Sequence, residues 1–334
     1  MATPRPDDGT LLYLSRGDVE AAGLGPAELI PAIERAFAAL AAGKARVGSK
    51  GRVPIGTGYF FQSLTGTLDE LGATGSKWAG TKWFGVSPDN PARGLPNVSA
   101  LIALNDLVTG LPVAVMDGNW ITGARTAAVS AAAAKRLAVE DAASCAFIGC
   151  GVQARTHARY LGHVRPGLKQ AAVLGRSAAG RDAFAAWLRE RGWEVRLAAD
   201  AEEVLAGADI AVSTVPEYEG WRAFLDPARL RPGALAVGVD LGRSWLPSGY
   251  GAFDLVVTDD AEESKGLVAQ ERLKAPAEFG ADLGAMLTGR HPGRRAAAER
   301  IWFVFAGHVL GDLAAAAAVY ERATVRRLGT RLPR

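Results

Sequence analysis

The chain has 334 residues, of which 49% are hydrophobic and 22% charged, and its formal net charge is +3 from 38 Lys+Arg against 35 Asp+Glu. This length corresponds to roughly two domains of ~150 residues, and the composition excludes intrinsic disorder. The near balance of charge excludes a strong electrostatic footprint for nucleic acid, and no stretch approaches the ~18 uncharged apolar residues of a membrane span.

Residues 1–8 carry no apolar stretch of the kind a secretory signal needs. With only Cys145 and Cys150 there is no disulfide framework, so a reduced, cytoplasmic chain is expected. Residues 26–40 place apolar side chains at helical spacing, with Pro26 near the start and Gly43 just past the end. Residues 46–69 are rich in Gly and aromatics and predict short strands. Residues 77–86 and 100–104 predict further strands, with turns at Ser87 to Pro91 and at Thr109–Gly110. An Ala-rich helix is predicted over about residues 126–137, ending in Lys135 and Arg136, which suit the macrodipole.

From there strands and helices alternate. Strands are predicted at 145–148, 171–174, 194–197, 210–215, 234–239 and 255–258, with helices to about 164, near 181–191 and at 202–205. Such alternation predicts a doubly wound parallel sheet. Residues 294–322 predict one long or broken helix. That tail is expected to pack back on the first domain.

Gly149-Cys150-Gly151-Val152-Gln153-Ala154 directly follows a predicted strand and opens a helix, the setting a dinucleotide fingerprint requires. Gly149 permits the tight turn and Gly151 lets backbone approach a pyrophosphate, while Ala154 still allows close helix–strand packing. The competing reading is a structural turn. At the end of the next strand an NAD site expects Asp or Glu on the ribose 2′-hydroxyl, but this chain has Gly175, Arg176 and Ser177. A guanidinium that pairs with a 2′-phosphate suits NADP(H) over NAD(H). The alternative for Arg176 is a solvated surface arginine.

The runs GLPNVSA at 94–100, DLVTGLP at 106–112, MDG at 116–118, ITGARTAAVSA at 121–131, AKRLA at 134–138 and IGCGVQA at 148–154 resemble the ornithine cyclodeaminase/mu-crystallin family. The likeness extends over about residues 14–323. It implies a Rossmann-type doubly wound sheet at 121–304. It also implies an α+β substrate and dimerisation domain made of 1–120 with 305–334, in a homodimer. The family includes cyclodeaminases, alanine dehydrogenases and ketimine or imine reductases, all centred on hydride transfer at the α-carbon of an amino or imino acid. Lys82 resembles the family lysine near the substrate carboxylate or in proton relay, and Arg125 the arginine that clamps that carboxylate beside the cofactor. The upstream cation corresponds to Arg52, with Arg46 and Lys50 competing. Asp240 matches the catalytic aspartate, against the alternative of a cap or turn residue. Asn97, Thr126, Val152, Gln153 and Val237 resemble cofactor contacts.

The sequence departs from the family in three places. The strand after the upstream cation reads Tyr59-Phe60-Phe61-Gln62, without the glutamate of cyclodeaminases, so imine reduction or amino-acid oxidation is expected over cyclisation with ammonia loss. In Phe303-Val304-Phe305-Ala306-Gly307 the bulky Phe305 stands where the family has a small polar residue, implying a more apolar or reshaped pocket. Arg243 follows Asp240 where the family has a Pro-Gly-Lys form, and is a candidate for a distal carboxylate or a cofactor phosphate. His157, His163, His291 and His308 show no metal spacing and read as surface or packed histidines, His308 standing out because it neighbours the altered tail motif. Cys150 reads as a small loop residue, and Asp259, Asp260, Glu262 and Glu263 as a solvated acidic face. The expectation is an NADP(H)-preferring, metal-free oxidoreductase acting on the α-C–N bond of a small amino or imino acid. A cyclodeaminase and a mu-crystallin-like binding protein are the alternatives.

Overall fold

In chain order the elements are β1 (Thr10–Leu14), α1 (Arg16–Ala21), α2 (Pro26–Ala41), β2 (Ala45–Val47), β3 (Gly51–Gly56), β4 (Tyr59–Leu71), β5 (Ser76–Val86), β6 (Val98–Asp106), β7 (Pro112–Asp117) and α3 (Asn119–Leu137). They continue with β8 (Ser144–Ile148), α4 (Val152–Val164), β9 (Gln170–Leu174), α5 (Ala178–Arg189), β10 (Glu194–Leu197), α6 (Ala201–Leu205), β11 (Ile210–Ser213), β12 (Leu235–Gly238), β13 (Leu255–Thr258) and α7 (Ala261–Ala269). Last come β14 (Ala281–Asp282), α8 (Leu283–Leu287), β15 (Ile301–Val304), α9 (Val309–Arg326) and β16 (Thr330–Pro333). This computed structural model describes residues 8–71, 76–217 and 220–334. Residues 1–7, which carried most of the N-terminal reading, lie outside them.

The chain divides into two compact units, one of residues 1–125 with 308–334 and one of residues 126–307. The first is built on a mixed sheet of order β16-β1-β7-β6-β5-β4-β2, with β3 paired to β4. The region expected to form short strands contains instead the 13-residue β4, long enough to pair with β2, β3 and β5. One face of this sheet packs α2 and α9. Leu64, Leu68, Trp78, Ile102, Leu104, Ala114 and Met116 are buried there, following the period-two alternation of strands. Two glycines let α9 come close. Gly66 and Gly80 are cross-strand partners; a Cβ on Gly66 would meet Val309 Cγ1 at 2.6 Å, and one on Gly80 would meet Leu313 Cδ2 at 2.8 Å.

The second unit carries an all-parallel sheet of order β10-β9-β8-β11-β12-β15-β13-β14, the doubly wound form with its order reversing at β8. The strands are short and apolar, buried along their whole length at β11, β12 and β15, as a sheet covered on both faces requires. Two sequence expectations change here. The helix expected to begin at Thr126 starts at Asn119, so Arg125 and Thr126 are both helical. The tail expected to be helical from 294 instead forms β15, and its helix starts only at Val309. Ile301, Trp302, Phe303 and Val304 are all fully buried between β12 and β13, and a four-residue apolar run of this kind carries no periodicity to separate strand from helix.

Candidate functional site

In the first unit β5 presents Lys82 on the α9-packed face, opposite Leu64 of β4 and Ile102 of β6. Lys82 is 2% exposed. Its Nζ donates to Asp312 Oδ1 on α9 at 2.9 Å and lies 5.1 Å from the Phe84 ring centroid. Arg125, on the first turns of α3, brings its Nε to 3.0 Å from the same oxygen, but not in line for a hydrogen bond. The Arg125 Nη1 and the Asp312 Oδ2 are buried without a hydrogen-bond partner. Burial, and after it the charge of Arg125, pushes the Lys82 ammonium down to about 8, with Asp312 opposing and Lys50 adding to the depression. Two cations share one carboxylate, so the cluster holds one excess positive charge. A buried site with excess charge and an unsatisfied guanidinium nitrogen is built to receive an anion.

Asp312 was missed in the sequence. Its signal was a lone acid in the apolar run from Val309 to Val319, since a carboxylate on a buried helix face requires a partner. The upstream cations separate by face. Arg46 pairs with Thr67 on the opposite face from Lys82 and is exposed. Arg52 shares the face of Lys82 but is exposed, its guanidinium 3.7 Å over the Phe60 ring. Lys50 is half-buried, and its charge is felt by Lys82. Gln62 is buried on the same face, opposite Phe84. Asn97 lies in the turn before β6, its Oδ1 buried without a hydrogen-bond partner.

In the second unit the loop after β8 has the expected form. Gly149 has φ +98°, and a Cβ on it would lie 2.5 Å from Thr214 Oγ1, so glycine is required there. Gly151 caps α4 with no side-chain hydrogen bond, leaving the helix N-terminus open to a phosphate. Ala154 is fully buried against the sheet. Val152, in the first helical turn, is 71% exposed, and the Gln153 Oε1 is buried without a partner. A cavity of about 460 Å³ opens at the carboxyl ends of β8, β9 and β11, lined among others by Gly149, Gly151, Arg176, Arg181, Trp221 and Phe224. Its place at the reversal of strand order is where such sheets bind nucleotides. These features fit a dinucleotide.

Arg176 is exposed on the wall of that cavity, while the Ser177 hydroxyl accepts from the Gly180 N–H as the cap of α5. Val237 is fully buried within β12, flanked by Val212 and Phe303. Thr126 is buried on α3. Cys150 is inert, its thiol pushed up to about 11 by burial.

Asp240 follows β12 and is 4% exposed. Ser213 Oγ donates to its Oδ1 at 3.0 Å, Ser244 Oγ donates to its Oδ2, and Trp245 Nε1 donates to Ser213 Oγ at 3.1 Å. Burial raises the Asp240 carboxyl to about 6, although both serines and the Arg243 charge favour the anion. The next residue, Leu241, holds φ +59°. A buried, hydrogen-bonded acid at the carboxyl end of a parallel strand can exchange a proton or stabilise a charge, and such strand ends are where these sheets place their ligands. His157 is buried and depressed to about 4 by that burial, with Nε2 2.9 Å from Ser130 Oγ; it is a packing residue. The acidic-face expectation fails at Asp259, which is 2% exposed and accepts from Thr258 Oγ1 and the Asp260 N–H. Asp260 caps α7. Phe305 is buried and stacks on Phe303 with ring centroids 4.9 Å apart.

A family model described as ornithine cyclodeaminase/mu-crystallin family matches residues 12–326. The chain belongs to that family. An alanine dehydrogenase from Archaeoglobus fulgidus is 29% identical over 96% of this chain and 98% of its own. A solved Thermococcus litoralis Delta(1)-pyrroline-2-carboxylate reductase, in complex with NADH and L-proline, superposes with TM-score 0.86 at 28% identity, covering 96% of this chain and all of its own. An archaeal alanine dehydrogenase dimer with bound NAD gives TM-score 0.85 at 27% identity over 97% of this chain and 99% of its own. These relatives are thus an amino-acid dehydrogenase and an imino-acid reductase, with NAD or NADH bound in the two solved structures, and a solved lysine cyclodeaminase, 26% identical with TM-score 0.81, is also similar. Among the described residues no helix is long and apolar enough to cross a membrane, and no group of three or more His, Cys, Asp or Glu side chains is placed to hold a metal ion.

Proposed function

We propose that this protein is an NADP(H)-preferring reductase of α-imino acids, working reversibly as an amino-acid dehydrogenase. The carrying observation is the Lys82–Asp312–Arg125 cluster, in which a buried guanidinium nitrogen without a partner and one excess positive charge match the α-carboxylate that every such substrate carries. Lys50 is the upstream cation of choice in this reading, ahead of Arg52 and Arg46, because it is half-buried and its charge acts on Lys82.

The bound nicotinamide supplies the hydride for the α-carbon in reduction and accepts it in oxidation. This chain's residues do the rest. Arg125 binds the carboxylate. Lys82, poised at about 8, is mostly protonated at neutral pH and delivers the proton that leaves an amine as product. Asp240, at about 6, is mostly ionised there and is the second unit's candidate for proton or charge work. Buried Gln62 is a neutral amide where a cyclodeaminase would need a carboxylate, which favours reduction over ring closure with loss of ammonia.

The absence of a carboxylate among the described residues of the cavity wall, with Arg176 and Arg181 both on it, supports a 2′-phosphate and hence NADP(H). The outer face of the first sheet supports a homodimer. There Phe61 and Trp83 stack with centroids 5.7 Å apart, both nearly half exposed beside exposed Val53 and Leu101, an apolar patch of the kind that marks an interface. A screen of NADPH and NADH oxidation tests the reading, using cyclic ketimines and the oxoacids pyruvate, glyoxylate and oxaloacetate with ammonia or methylamine. The expected result is consumption of NADPH with one of these imino acids. Tight dinucleotide binding with no turnover of any of them would identify a binding protein instead.

A further inference from the structure

Asp240 ends a hydrogen-bond chain whose directions are set by the chemistry of its members. The Trp245 indole N–H can only donate, and it donates to Ser213 Oγ at 3.1 Å. Ser213 Oγ accepts there and turns its single O–H to Asp240 Oδ1, 3.0 Å away. Ser244 Oγ donates to the other carboxylate oxygen. Ser213, Ser244 and Trp245 are fully buried and Asp240 nearly so, which keeps bulk water from replacing any of these donors.

The far end of the chain is anchored. Trp245 stands edge-on to Phe253 with centroids 5.8 Å apart, and lies against Trp302 at 6.1 Å. Its backbone N–H donates to the Gly242 carbonyl at 3.2 Å, and its backbone bridges to Leu225. Ser213 ends β11 beside Gly238 of β12, and its carbonyl accepts from the Val239 N–H at 3.0 Å. The hydroxyl and the carboxylate are thus carried on neighbouring strand ends, and the indole comes from the turn after Asp240. That turn is where the sequence departs from the Pro-Gly-Lys form of the family.

The chain discriminates between the two forms of the acid. With Asp240 ionised, the indole N–H and both hydroxyls each have an acceptor. Protonation at Oδ1 would set two hydrogens between Ser213 and Asp240, and the Ser213 hydroxyl could not turn back toward the indole, which accepts nothing. The arrangement therefore favours the carboxylate, in one orientation. Among the described residues, the other charged or titratable groups acting with Asp240 are Arg243 of the same turn, whose charge also favours the anion, and Tyr250, whose hydroxyl donates to the Lys274 carbonyl at 3.1 Å.

We infer that Trp245 is a positioning residue, which through Ser213 holds the Asp240 carboxylate ionised and fixed for the reaction. The part played by Asp240 itself rests on the reading above, and the test separates the two.

The test follows Asp240 by the NMR resonance of its carboxyl carbon as pH is varied, in the full chain labelled at aspartate, with the signal assigned by its loss in Asp240→Asn. The variants are Ser213→Ala, Trp245→Phe and the two combined, each checked by thermal unfolding. A hydrogen bond to an ionised group moves its titration by about one to two pH units, and Ser213→Ala is expected to raise the Asp240 titration by that amount. Trp245→Phe keeps a buried ring and loses the N–H, and is expected to raise it by about half a unit through the weakened Ser213 bond. Because Trp245 acts through Ser213, the combined variant is expected to titrate with Ser213→Ala, whereas independent structural effects would add. The lower limb of the kcat/KM profile for reduction is expected to move with the resonance. A Trp245→Phe titration within about 0.2 unit of wild type overturns the inference, as do additive shifts or a limb that stays in place while the resonance moves. Where Trp245→Phe does not fold, an unchanged titration in Ser213→Ala overturns the inference and a raised one supports it. If the resonance shifts as expected while wild type turns over no imino acid, Trp245 still positions Asp240 and only the reductase reading falls.

Discussion

Asp312→Asn removes the carboxylate that two buried cations share while preserving the shape of the side chain. Lys82 Nζ and Arg125 Nε lie 2.9 and 3.0 Å from the lost charge, and the side chains of all three residues are 7% exposed or less. Removing one partner from such a buried pair costs about 3–5 kcal/mol. The pH dependence follows from Lys82. Its folded value is already depressed from 10.5 to about 8, so between those values the unfolded chain binds more protons and stability from this group rises with pH. Without Asp312 the depression deepens, so the penalty is largest at neutral pH and shrinks as Lys82 discharges in both states. Urea unfolding of wild type and Asp312→Asn at pH 7 and pH 10 measures this. A variant within about 1 kcal/mol of wild type at pH 7, or a loss that grows with pH, would refute the proposed charge-sharing cluster.

For reduction, kcat/KM is expected to rise as pH passes about 6, where Asp240 ionises, and to fall as it passes about 8, where Lys82 loses its proton. Asp240→Asn should erase the lower limb in a pH–rate profile while leaving the upper one in place. Arg176→Asp is expected to lower NADPH over NADH preference by about 10- to 150-fold in steady-state kcat/KM, the worth of one charge-assisted contact; an unchanged ratio would remove Arg176 from the cofactor site. Gly149→Ala forces a side chain into a left-handed turn 2.5 Å from Thr214 Oγ1 and should weaken NADPH binding by more than about 10-fold in a fluorescence titration. Trp83→Glu, on the exposed face of β5, is expected to yield monomers by sedimentation velocity, with the Lys82 face intact because adjacent strand residues point to opposite sides.

The nucleotide-binding sheet was legible because its strands are short, continuous apolar runs ended by glycine, a local signal that the parallel order at Cys145–Ile148 and Ile210–Ser213 repeats. The same property hid β15: Ile301 to Val304 is apolar without alternation, and only its burial between two other strands makes it a strand. Lys82 was legible as a charge set among aromatics. Asp312 was not, because its meaning comes from a lysine 230 positions away, and only the Gly66–Gly80 gap that seats α9 on the sheet brings the two together. Sequence favoured Arg52 over Arg46 and Lys50 as the upstream cation, and what it could not show is that Arg46 and Arg52 are exposed while Lys50 is half-buried with its charge acting on Lys82.

The most direct measurement of the central claim is the fate of the cofactor's hydrogen. NADPH deuterated at C4 of the nicotinamide would be incubated with protein and a cyclic imino acid, and the product amino acid analysed by mass spectrometry and NMR. The expected result is one deuterium on the α-carbon per NADPH consumed, lost in Arg125→Ala, whose carboxylate clamp is gone. Unconsumed NADPH and no deuterium in the product, with ammonia and a cyclic amino acid formed in a parallel incubation of the protein with ornithine and NADP+ or NAD+, would contradict it.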